Sequence, residues 1–156
     1  MDAAGRLKLF DFGLGRCVKK RTTDNQVYRM TGETGTLRYM APEVVLKLPY
    51  TEKVDVFSFA VVVWTLSRNK HPYRGMTSAD HMTHVVQRGE RPKLEASWPK
   101  EFREFLMRCW HQDSTQRPTF GEVLQMLSAM IGNDAPAARP SASAALLRRI
   151  MGSGKS

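Results

Sequence analysis

A mainly α-helical fold, with one short strand and about five helices, follows from three features of the sequence. Residues 54–66 read VDVFSFAVVVWTL, and ten of the thirteen are apolar. Two capping-box spacings, Thr77 to Asp80 and Thr119 to Glu122, stand before apolar residues at helical intervals. Alternation of period two occurs clearly only at residues 6–10, RLKLF.

The 54–66 run is the axle of the predicted fold. On a helix its apolar side chains cover nearly the whole circumference, and a helix apolar all round needs cover on every side. Thr51 is a good N-cap, Glu52 places negative charge in the first turn, and Asn69, Lys70 and Pro72 stop the helix. The run falls short of the roughly 20 apolar residues of a membrane span, and Asp55 and Ser58 interrupt it. Asp55 is a carboxylate one turn into an apolar rod. If buried, it must accept hydrogen bonds from a nearby backbone loop; otherwise it is a surface acid at a helix start.

The totals describe a single domain. The chain has 156 residues, 42% hydrophobic and 25% charged, ordinary for a globular protein. The net charge of +9 favours acidic partners. No nucleic-acid-reading motif accompanies it. Two cysteines, Cys17 and Cys109, cannot build a disulfide framework, and no secretory apolar segment follows Met1-Asp2. A reducing, cytoplasmic location is expected.

Taken in order, the strand over residues 6–10 ends in Asp11-Phe12-Gly13. An Asp at a strand end beside a flexible Gly can aim a hard oxygen at a divalent metal. Residues 14–40 carry Gly15, Gly32, Gly35, basic residues and many hydroxyls, the pattern of a long functional loop. Pro42 opens a short helix through Val44, Val45 and Leu46. A helix capped at Thr77 runs to Arg88, with Ala79, Met82, Val85 and Val86 on its apolar face and Gly89 as its stop. His81 and His84 lie one turn apart on it. No third metal ligand is evident, so they are expected to be solvated.

Pro99 opens a helix whose buried stripe is Phe102, Phe105, Leu106, Cys109 and Trp110, with Cys109 a small core residue. The last helix follows the Thr119–Glu122 box and presents Phe120, Val123, Leu124, Leu127, Met130 and Ile131, ending at Gly132. In residues 132–156, 15 of 25 are Ala, Gly, Pro or Ser, the composition of a flexible tail. Residues 144–151 are a marginal helix at best. The closing Gly154-Lys155-Ser156 is no phosphate loop, because position 149 is Arg and no helix follows.

D-F-G at 11–13, 27 intervening residues, A-P-E at Ala41-Pro42-Glu43, an Asp on an apolar helix, and Arg117-Pro118 form a specific series. In this order the chain resembles the C-terminal part of a protein kinase catalytic domain, over residues 5–131. The parent fold so implied is α+β and two-lobed. This chain would supply an incomplete C-terminal lobe over residues 1–131 and a tail over 132–156. The resemblance implies that Asp11 holds Mg²⁺ against ATP phosphates, with Phe12 and Gly13 completing the motif. It also implies an activation segment over residues 11–43, a buried ion pair between Glu43 and Arg117, and a brace for the catalytic loop at Asp55.

Gly35-Thr36-Leu37-Arg38-Tyr39 looks like the substrate-facing loop of Ser/Thr kinases, with Thr36 contacting the catalytic Asp. YMAPEV, DVFSF and RPTF resemble tyrosine kinases. Together they point to the tyrosine-kinase-like group of Ser/Thr kinases. Thr31 and Thr34 are then regulatory phosphosite candidates, near Arg16, Arg29 and Arg38.

Phosphoryl transfer also needs a glycine-rich loop, a strand Lys with its Glu partner, and an H-R-D loop. Val18 stands where a third Gly would follow Gly13-x-Gly15, and H-R-D occurs nowhere in the 156 residues. The expectation is a kinase fragment missing its N-terminal lobe, inactive alone and not binding Mg²⁺ and ATP tightly, with protein substrates or signalling partners and no nucleic acid or membrane span. Part of the 54–66 helix should lack its cover. The alternative is a non-catalytic interaction module of pseudokinase type.

Overall fold

A computed structural model of the chain describes residues 8, 9, 11, 13, 15 and 36–132. A 3₁₀ turn at Leu37–Tyr39 leads into α1 (Pro42–Val45) and α2 (Lys53–Arg68). Next comes α3 (Ser78–His81), which continues without a break as a π-helical turn over Met82–Gln87. Helix α4 (Lys100–Cys109), a second 3₁₀ turn (Ser114–Gln116) and α5 (Phe120–Gly132) complete the helical body. No strand is present among the described residues. Of the strand expected over residues 6–10, only Lys8 and Leu9 are described. Neither is in a strand, and Leu9 is 88% exposed.

Helix α2 is the axle. Val56, Phe57, Ala60, Val61, Val63 and Trp64 are buried, and α2 packs against α4, α4 against α5. Glu52, not the expected Thr51, stands at the N-cap position and makes no side-chain cap bond; Thr51, one residue earlier, receives the Lys53 N–H on its hydroxyl at 3.4 Å and the Val54 N–H on its carbonyl. Asn69 ends the helix in the left-handed conformation (φ 50°), which Asn tolerates. The cover is incomplete on one flank. Val62 is 41% and Leu66 49% exposed, one turn apart, and Asp55 lies on the same flank two turns before Val62.

Helix α4 buries the expected stripe. Phe102 meets Trp98 edge-on and stacks with Phe105 at 6.3 Å. Cys109 is fully buried, and burial pushes its thiol up to about 12, so it serves as packing rather than as a nucleophile. The α5 cap forms as its spacing predicts: the Thr119 N–H and hydroxyl both reach the Glu122 carboxylate, at 2.7 and 2.8 Å. The α5 face is narrower than predicted. Val123 and Leu127 are buried and Met130 and Ile131 half-buried, but Phe120 and Leu124 are 46% and 57% exposed. A helix with one principal neighbour buries about one position per turn. Phe120 keeps only an edge-on contact with Phe59, at 5.8 Å.

The Thr77–Asp80 capping box is present, with the Thr77 N–H donating to Asp80 at 3.0 Å and the Asp80 N–H donating back to the Thr77 hydroxyl at 3.1 Å. The helix beyond it is not the uniform α-helix expected to Arg88. It widens at Met82, and the Arg88 N–H reaches back five residues to Thr83. Gly89, at φ 71°, makes the stop. Val85 and Val86 are buried as predicted, whereas Ala79 is exposed.

One ion pair fastens the ends of this body. Glu43, in the first turn of α1, and Arg117, between the second 3₁₀ turn and α5, are 74 residues apart in sequence. Arg117 grips both Glu43 oxygens, at 2.5 and 2.9 Å. Its remaining N–H groups reach the carbonyls of His111 (2.8 Å), Lys53 and Gln112 (both 3.3 Å). All five donors of a nearly fully buried guanidinium are thereby used. Lys53 completes the knot by donating from Nζ to the Arg117 carbonyl at 2.7 Å.

Replacing Arg117 by Met strands the Glu43 carboxylate and is expected to lower stability by about 3 kcal/mol. The double variant Glu43→Leu/Arg117→Met should lose less, as read from denaturant midpoints. On the uncovered flank of α2, Val62→Lys with Leu66→Lys is expected to reduce binding of a hydrophobic dye and self-association without lowering the melting temperature. A drop in melting temperature would mean that these side chains are packed in solution.

Candidate functional site

The site-bearing segment is the short loop over residues 36–41 and the residues that hold it. The Tyr39 N–H closes on the Thr36 carbonyl at 3.0 Å and the Met40 N–H on Leu37 at 3.1 Å, giving the 3₁₀ turn. The underside is fixed to α2. Ser58 Oγ lies 2.8 Å from the Tyr39 carbonyl and 3.1 Å from that of Val54, so its one proton is shared between them. Ala41 is fully buried in the core. Immediately after it, Pro42 starts α1 with φ already suited to a helix, and Glu43 engages Arg117. The upper side remains open: Thr36 is exposed and its hydroxyl makes no capping bond, and Arg38 is half-exposed. A loop pinned from below, with a free hydroxyl above, can present backbone and side-chain groups to an extended peptide.

Asp11 is exposed and lies in the left-handed region (φ 64°), an uncommon conformation that Asp tolerates. Gly13 follows in a turn, and a Cβ built on it would stand 3.4 Å from Asp11 Oδ1, so Gly leaves that carboxylate its freedom. One exposed carboxylate fits Mg²⁺ only as a partial ligand, since Mg²⁺ takes one or two carboxylates and fills its shell with phosphate oxygens and water. No group of three or more His, Cys, Asp or Glu side chains among the described residues could hold a metal by itself. Phe12, Thr31 and Thr34 lie outside the described residues, as do Cys17 and the 133–156 tail.

Of the two readings of Asp55, a buried acceptor or a surface acid at a helix start, the described residues show the second: its side chain is exposed, with no hydrogen bond or ion pair among them. Partial desolvation against α2, and then the Glu52 carboxylate, push its pKa up. Its flank of α2 is the uncovered one, so nothing in the described chain supplies a donor. His81 is buried, not solvated, at 2% exposure. It stands one turn before Val85 on the buried stripe, and that spacing was the available signal. His84 behaves as expected at the surface and reaches Glu90 at 2.8 Å.

Sequence reasoning missed Arg91. Its guanidinium reaches the carbonyls of Trp110 (2.8 Å), Val85 (3.1 Å) and Glu90 (2.9 Å) and the Gln112 side chain (2.6 Å). Gln112 in turn donates to the Val86 carbonyl at 2.7 Å. Arg91 and Arg117 both lie over the Phe57 ring, at 4.9 and 5.0 Å from its centroid. Two cations therefore share one buried aromatic near the Glu43 carboxylate, which seats the π turn and the loop anchor on the same point of α2. An Arg before a Pro in a linker carries no periodic signal.

Comparison with known proteins agrees with this arrangement. The protein tyrosine and serine/threonine kinase family matches residues 1–127. Serine/threonine-protein kinase STY17 of Arabidopsis thaliana is 41% identical over 131 residues, covering 84% of this chain and 22% of that protein. STY46 of the same plant is 44% identical over 127 residues, 81% of this chain and 21% of its own length. The serine/threonine/tyrosine-protein kinase HT1, also from Arabidopsis thaliana, is 37% identical over 122 residues, covering 78% of the chain and 30% of that kinase. The chain thus spans less than a third of the length of each of these relatives. With the A-P-E helix locked to Arg117 and the D-F-G carboxylate ahead of it, the chain belongs to the protein tyrosine and serine/threonine kinase family and falls in its tyrosine-kinase-like group.

Proposed function

We propose that residues 11–131 serve as the activation segment and helical body of a catalytic domain that transfers the γ-phosphoryl group of ATP to serine and threonine side chains of proteins. We also propose that the 156-residue chain alone does not carry out this transfer. The observation that carries the first part is the mounting of the 36–41 loop: Ser58, Ala41 and the Glu43–Arg117 pair hold it from below and leave Thr36 open above. A substrate peptide laid along that loop meets a preformed surface and does not have to order it.

The second part rests on what the 156 residues contain. Phosphoryl transfer is positioning and charge stabilisation. Mg²⁺ and ATP, when bound, supply the phosphoryl group and neutralise its charge. This chain offers one hard oxygen ligand, at Asp11, and the sequence has no H-R-D to orient the attacking hydroxyl. A phosphate on Thr31 or Thr34 would place about two negative charges near the basic residues of the same segment, an activating arrangement. A cytoplasmic location goes with this reading.

The purified chain is expected to transfer no phosphate from Mg-ATP to serine or threonine peptides. Transfer that disappears in Asp11→Asn would overturn the inactivity. A chimera carrying residues 5–131 in place of the matching part of the STY46 catalytic domain is expected to phosphorylate such peptides. In it, Asp11→Asn should lower kcat by about 10²–10³-fold. A folded chimera with no turnover would favour the non-catalytic interaction module.

A further inference from the structure

The loop over residues 71–76 meets α3 at a pair of rings. His81 is 2% exposed, and the Tyr73 ring meets it edge-on, with 5.2 Å between centroids and 86° between planes. Neither His81 ring nitrogen has a hydrogen-bond partner, and neither does the buried Tyr73 hydroxyl. Tyr73 also sits at φ 52°, a left-handed conformation that is a genuine outlier for a bulky residue. The helix changes from α to π at the next residue. A buried imidazole without partners, a backbone held out of its preferred region and an irregular helix thus coincide at one point.

The charges around His81 are of one sign. Arg38, on the first 3₁₀ turn, and Arg91, after the π turn, both act on it. The acids on the surrounding elements are engaged elsewhere. Asp80 on α3 is bound to the Thr77 N–H and hydroxyl, Glu90 holds His84, and Glu43 on α1, which packs against the π turn, is gripped by Arg117. Burial pushes the Tyr73 hydroxyl up to about 12, so it stays neutral. A proton on His81 has no acceptor at hand among the described residues.

We propose that His81 is an acid-sensitive latch: neutral, it holds the 71–76 loop against α3 through Tyr73, and protonated, it leaves the core and frees that loop. Burial, and then the two guanidiniums, hold the closed-state imidazole below its ordinary 6.5. The open state therefore takes the proton first. The closed form keeps its full advantage above pH 6.5 and loses it as pH falls from there toward the lower closed-state value, by up to about tenfold per pH unit for one proton. The strained Tyr73 backbone gives the freed loop a more relaxed conformation to adopt.

Hydrogen exchange of the whole chain, corrected for intrinsic rates, tests this. Between pH 7.5 and 5.5, opening of residues 71–88 is expected to rise by up to about tenfold, with residues 100–109 unchanged. His81→Phe, which keeps His84 and Glu90, should abolish the rise. An unchanged opening in the parent chain, or an equal rise in His81→Phe, would overturn the latch. Should His81→Phe fail to fold, the ring-proton titration of His81 in the parent chain decides. A midpoint below 6.5 supports the latch and one at or above 6.5 overturns it.

Discussion

The Glu43–Arg117 pair is the contact on which the rest of the described structure depends. It joins the end of the 36–41 loop to the link between α4 and α5, and through the Lys53 carbonyl and ammonium it ties both to the first turn of α2. Burying a guanidinium is costly unless every donor is satisfied and a counter-charge is present. Here both conditions hold, and Phe57 adds an aromatic face beneath the charge. Such a site accepts one geometry, so the chain entering α1 and the chain entering α5 are fixed with respect to each other. Removing one partner leaves the other's charge buried and unpaired, whereas a well-packed apolar pair could replace the energy of the contact but not its directionality.

Much of this was readable from the chain. The α2 run, the Thr77–Asp80 and Thr119–Glu122 boxes, the α4 stripe and the left-handed stop at Asn69 each follow from local periodicity or cap chemistry, and each is present. What periodicity could not supply was the identity of neighbours. Leu124 reads as core from spacing alone, yet it is 57% exposed. The widening of the helix at Met82 obeys no local rule in the sequence. His81 reads as solvated from its residue type, although its place one turn before Val85 puts it on the buried side.

The candidate site was legible to a different degree. D-F-G, A-P-E and Arg-Pro are weak singly and strong in series, because each marks a point where the chain must hold a special group or turn. The pairing of Glu43 with Arg117 came from that resemblance, not from spacing, and the geometry bears it out. Asp55 shows the limit. Its expected role needs a donor from another segment, and none of the described residues supplies one. Arg91 shows the converse, a tie between distant segments that leaves no trace in local patterning.

The placement of the aromatic residues has an optical consequence. The three tryptophans are Trp64 on α2, Trp98 before α4 and Trp110 after it. Trp64 and Trp110 are buried, Trp98 leans on Phe102, and the Trp64 indole donates to the Lys93 carbonyl at 3.0 Å. Indole emission from this chain therefore originates in and beside the one core cluster to which α2 and α4 both contribute, and its wavelength monitors the integrity of that cluster.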